Sequence, residues 1–136
     1  MGRLSLSPDC ADLDAPLAAA PDAVRVQAGW AAAQWAVRHN DLAHPALAEA
    51  RLGGPWEPIA ALVEELDNHY FELQELLDEE GEGSKADVLV AFRRARAANA
   101  LEFAVRGEAD EAVYEAAAAT EDVQELRRVV MEALGH

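Results

Sequence analysis

The chain has 136 residues, a formal net charge of −15 at neutral pH and a single cysteine. With half its residues apolar and a quarter charged, it fits one compact globular domain and not a disordered chain. The charge excludes nucleic acid, whose binding depends on cationic side chains displacing counterions from phosphates, and it disfavours an anionic membrane for the same reason.

Residues 1 to 20 mix Pro8 and Pro16 with Asp9, Asp12 and Asp14 among small residues, so an irregular arm with at most one short helix is expected there. No stretch here has the apolar run of a signal peptide, and no later one is long enough to span a bilayer. Cys10 stands alone, which leaves neither an intramolecular disulfide nor a cysteine metal site. A reducing cytoplasm is the expected compartment. Lys85 and Ile59 are the only residues of their types, amid abundant Ala, Arg, Gly and Pro. That bias is typical of a GC-rich, bacterial coding sequence.

Pro21 and Asp22 open a helix, Ala23 to His39 continue it, and Asn40 with Asp41 end it. Proline lacks the N–H that a first turn leaves unused, and the aspartate accepts from exposed backbone donors. Trp30 and Trp35 lie too far apart around this helix to share a face. Trp30 is expected in the core, and Trp35 is a candidate interface residue because exposed tryptophan is enriched at binding hot spots. A short helix over about Pro45 to Leu52 then meets the breaker Gly53-Gly54-Pro55.

The third helix, about Trp56 to Glu80, carries Ile59, Leu62, Leu66, Tyr70, Leu73 and Leu77 at steps of three and four. This spacing makes one apolar stripe. The segment 56 to 82 also holds Glu57, Glu64, Glu65, Asp67, Glu72, Glu75, Asp78, Glu79, Glu80 and Glu82, with no Lys or Arg. The last few crowd a helix C-terminus, where the dipole disfavours anions. A hinge at 81 to 84 follows, in which Ser84 and Asp87 resemble a capping box. The fourth helix, about Lys85 to Arg106, puts Leu89, Phe92, Arg96, Asn99 and Phe103 along one seam. Two shorter helices, about Glu108 to Ala119 and Glu121 to Leu134, complete the chain. The expected fold is therefore all-α, a compact bundle of about five to six helices forming one domain over 21 to 136. Shifting the sequence by 68 residues aligns Trp35-Ala36-Val37-Arg38 with Phe103-Ala104-Val105-Arg106. A duplicated helical hairpin (HEAT-like) with pseudo-twofold symmetry is thus an alternative to chance alignment of alanine-rich helices.

Material for chemistry is sparse. Ser84 and Thr120 sit at expected caps, and Gly81-Glu82-Gly83 lacks a phosphate-loop lysine. No catalytic residue and no cofactor is expected. Glu65, His69 and Glu72 share a helix face and form a candidate metal wall, but the fourth helix supplies no second wall. The alternative for His69 is a packed histidine flanked by these acids. Arg93, Arg94 and Arg96 are expected to pair with Glu72, Glu75 or Asp78 across the hinge. Arg96 and Asn99, on a seam expected to be buried, would need polar partners or would line a small pocket with His69. The favoured function is a non-enzymatic interaction module of adaptor, inhibitor or regulatory type. It would present Glu75, Asp78 and Glu79, with Trp35, to a basic protein, and a second copy of the chain is another candidate partner. The alternative is a bundle binding a metal or small molecule between the third and fourth helices, with enzymatic activity left open.

Overall fold

Alanine decides how these helices meet. The structure, a computed structural model, describes residues 8–136, which contain seven α-helices, one 3-10 turn and no strand. The helices are α1 (Asp14–Ala19), α2 (Asp22–His39), α3 (Pro45–Ala48), α4 (Glu57–Glu80), α5 (Lys85–Val105), α6 (Ala109–Ala118) and α7 (Val123–Ala133). The faces that α2, α5 and α6 bury against one another are mostly alanine, among them Ala28, Ala32, Ala36, Ala98, Ala112 and Ala116. Small side chains let backbones approach closely, and α2 packs against α5, α6 and α7 as a central helix. At the tightest point Gly29 of α2 faces Ala109 of α6. A Cβ at Gly29 would lie 2.8 Å from the Ala109 Cα, so only glycine fits.

The arm expected over 1 to 20 is structured in its described part. Pro8–Leu13 form the 3-10 turn, α1 follows, and Cys10, Leu13 and Leu17 are fully buried in the core. Apolar residues spaced three and four apart form a helical face here despite the prolines. Residues 1–7 lie outside the described residues.

Capping fixes the other boundaries. The His44 Nδ1 accepts from the Ala46 N–H at 3.1 Å, and the Ser84 hydroxyl from the Asp87 N–H at 3.1 Å. Asp122, not Thr120, caps α7, its carboxylate accepting from the Glu125 N–H at 3.2 Å. Gly81 ends α4 in the left-handed conformation, with φ 66°, which a residue bearing a Cβ adopts at a cost.

The stripe on α4 is only partly core. Ile59, Leu62 and Val63 are buried in the body, whereas no residue from Glu64 to Glu80 is. α4 packs chiefly on α5, and beyond its first two turns it has no fully buried residue, so the two helices form an antiparallel hairpin that projects from the body. The expected α5 seam is likewise displaced. Leu89 is exposed, and Phe92, Arg96, Asn99 and Phe103 are half-buried. The buried stripe runs through Val88, Ala91, Ala95, Ala98 and Leu101, because close helix packing puts alanines at the centre of the contact and large side chains at its edges. Among the described residues, no helix is long and apolar enough to cross a membrane.

Candidate interaction surface

The three arginines of α5 go to three different places, and none reaches the acidic end of α4. Arg96 Nη2 donates to Asp67 Oδ1 at 2.7 Å and Nη1 to Glu115 Oε2 at 3.1 Å, so one guanidinium ties α4, α5 and α6 together. Glu115 is 6 % exposed. Arg93 pairs with Glu121 at 3.2 Å, in the α6–α7 connection. Arg94 takes part in no ion pair among the described residues, and its Nε is buried without a hydrogen-bond acceptor. The pairing expected with Glu72, Glu75 or Asp78 fails because of hairpin register. With a short turn at 81 to 84, those acids face the first turns of α5, and the arginines lie opposite residues 67 to 70.

Of the ten carboxylates between 56 and 82, only Asp67 is in an ion pair among the described residues. Glu72, Glu75, Asp78, Glu79 and Glu80 are all exposed, and the one bond within the group is from Gln74 Nε2 to Asp78 Oδ1 at 3.0 Å. Large apolar side chains are exposed among these acids: Phe71 (62 %), Val90 (54 %), Leu76 and Leu89. Two of them lie on α4 and two on α5, all on the hairpin. Sequence reasoning singles out the acids but misses these residues: Leu89 is expected on a buried seam, and Phe71, Leu76 and Val90 lie on neither expected apolar stripe.

His69 is exposed, not packed, and Arg96 points away from it toward Asp67. Glu65, His69 and Glu72 do not form a metal group: no cluster of three or more His, Cys, Asp or Glu side chains among the described residues is arranged to hold an ion. Asn99 is half-buried on α5 and does not join His69. A shallow groove of about 360 Å³ does run between α4 and α5 at His69, with Leu66, Leu73, Val90, Ala91 and Arg94 in its lining. It shares His69 with the expected pocket but has Arg94 in place of Arg96 and Asn99.

Trp35 is 9 % exposed and stacks on His39, ring centroids 4.6 Å apart and planes 16° from parallel. It is therefore a core residue and no interface anchor. Trp30 is half-buried and packs on the core. The exposed tryptophan is Trp56, whose ring lies 4.7 Å from the Arg106 guanidinium carbon. Around His39 lies a polar junction that the sequence did not reveal. His39 Nε2 is 2.9 Å from Thr120 Oγ1 and 3.4 Å from Glu121 Oε1, while Thr120 Oγ1 accepts from the Asp122 N–H at 2.8 Å. A backbone N–H bond, followed by His39 and Arg93, holds the Glu121 carboxylate below its usual range against partial desolvation. A nucleophile–base–acid relay needs hydroxyl and carboxylate on opposite ring nitrogens. Here both meet Nε2, which makes the junction a clamp on the α6–α7 turn.

No family model, curated protein or solved structure matches this chain. Its class therefore rests on its own geometry: an all-α bundle with one projecting acidic hairpin.

Proposed function

We propose that this chain is a non-enzymatic protein-interaction module whose α4–α5 hairpin binds a basic protein partner in the cytoplasm. The observation that carries the reading is the absence of any guanidinium or ammonium paired with Glu72, Glu75, Asp78, Glu79 or Glu80 among the described residues. Three of these acids end α4, where they oppose its dipole. A basic partner would relieve that repulsion and be drawn in by long-range attraction. Phe71, Leu76 and Val90 supply the apolar contact that charge alone does not. A second copy would bring like-charged hairpins together, so a basic partner fits better.

The test is capture from host lysate at low and high salt by the wild type and by the triple variant Glu75→Lys, Asp78→Lys, Glu79→Lys. Partners retained by the wild type at low salt should be lost by the variant. Retention of every partner would leave the acids a solubilising role only.

A further inference from the structure

The groove on the α4–α5 hairpin has a chemical polarity along its length. α4 leaves the body after Val63 and reaches the turn at Gly81, while α5 returns from Lys85. His69 and Arg94 therefore lie at the groove's body end, and Asp87, Glu72, Glu79 and Glu80 lie toward the turn. Its floor is apolar, from Leu66, Leu73, Val90 and Ala91, and Leu76 is exposed next along α4. The body end has Arg94, which among the described residues is in no ion pair and whose Nε lacks an acceptor. The turn end has anions that are in no ion pair among the described residues.

We propose that this groove seats one amphipathic, basic α-helix of a partner protein, completing a three-helix bundle with α4 and α5, and that the helix docks parallel to α5. This rests on the interaction reading above and deepens it. Two antiparallel helices leave between them a furrow into which the side-chain ridges of a third can pack, and helix-in-groove binding uses apolar anchors at steps of three and four. The groove itself runs from Leu66 to Leu73 on α4, about 10 Å at ~1.5 Å per residue, and a partner helix of three to four turns, about 20 Å, would continue past it along the hairpin to the acids near the turn. Direction follows from the two ends. A helix N-terminus carries partial positive charge and its C-terminus unsatisfied carbonyls and partial negative charge. The acids near the turn therefore attract the N-terminus, and Arg94 with His69 donates to the last carbonyls. Lysines or arginines on the partner's outer flanks meet Glu65, Glu72 and Glu75. A second copy of this hairpin fails on charge.

The probe is a synthetic 14-residue helix of leucine and lysine with one apolar face, bearing a nitroxide at one terminus, added to the full chain. The N-terminal label should broaden the amide resonances of Gly81 and Gly83, and the C-terminal label those of Arg94 to Ala98. The reverse pattern overturns the orientation. Val90→Glu, at an exposed position in the groove lining, should weaken binding about tenfold, the loss of one hot-spot anchor. Leu89→Glu, one residue away but outside the groove, should change it less than about twofold on the same scale. A peptide of identical composition scrambled to remove its apolar face should bind about tenfold more weakly. If the scrambled peptide binds equally well and the two variants behave alike, the groove reading fails. If binding is then still abolished by the Glu75, Asp78, Glu79 charge reversal, the acidic-surface reading survives it.

Discussion

At Arg96 one guanidinium serves two carboxylates on different helices, and one of them, Glu115, is almost fully buried. Removing the arginine takes from that buried carboxylate the guanidinium donor it accepts from at 3.1 Å. Arg96→Met should therefore cost about 3 kcal/mol, the lower end for breaking a buried pair, because Asp67 keeps access to water. Adding Glu115→Gln to that variant should recover part of the loss, since a neutral amide is cheaper to bury. Urea unfolding of the two variants checks both, and a loss below about 0.5 kcal/mol would make this an ordinary surface pair. The sequence marked Arg96 as a polar residue on a buried face but misassigned its partners. Asp67 was legible from counting outward from the turn at 81 to 84, whereas Glu115 was not, because nothing local says that α6 crosses α5 there. Glu121 gives a second residue-scale expectation. Its folded pKa is lowered, so its contribution to stability is complete above the ordinary carboxylate range and vanishes as pH falls through the lowered folded value. The stability gap between the wild type and Glu121→Gln should be present at neutral pH and close in strong acid, as read by thermal melts across pH.

Between elements, close approach replaces bulk. On helix propensity alone, Gly29→Ala should stabilise α2 by about 1 kcal/mol. The Ala109 backbone stands where the new methyl would go, and backbone cannot step aside as a flexible side chain can. Overpacking of this kind costs about 1–3 kcal/mol, so the net expectation is a lower melting temperature, with α6 displaced from α2. A rise in melting temperature would show that the two helices can part freely. The same alanine-rich contacts explain how far the sequence was legible at this scale. Helix order and ends are readable from caps and breakers such as Ser84, Gly81 and Pro21, but buried faces are not, because large residues such as Leu89 and Phe103 mark by periodicity a core that alanines fill. The 68-residue offset has a counterpart in the packing: α4 lies on α5 as α7 lies on α2, the exchange that a pseudo-twofold axis would make. α3 and α6 break it, since α6 packs on both α2 and α5 while α3 packs chiefly on α4.

Across the whole molecule, the buried core and the exposed acids separate along α4. The body is closed by α2, α5, α6 and α7, with Leu101, Val113, Leu126 and Val130 fully buried. The outer half of the hairpin contributes only Val88 and Ala91 as buried residues and carries at its end the acids that are in no ion pair among the described residues. Few buried contacts mean that it can open without unfolding the rest, and repulsion among the acids lowers the cost of opening further. Amide exchange at Leu73 to Ala86 should therefore proceed at least about tenfold faster than in the central turns of α2, through a local opening that leaves the body intact. Screening by salt should slow it, because the Debye length shrinks below the spacing of the acids. A docked basic helix should slow it more and at both ends of the groove, since binding to the closed form draws the equilibrium toward it. Exchange that matches α2 without a partner would mean that the hairpin is rigid in isolation. Its acids would then be tolerated by the body's stability alone, with no external partner needed to explain why the chain keeps them.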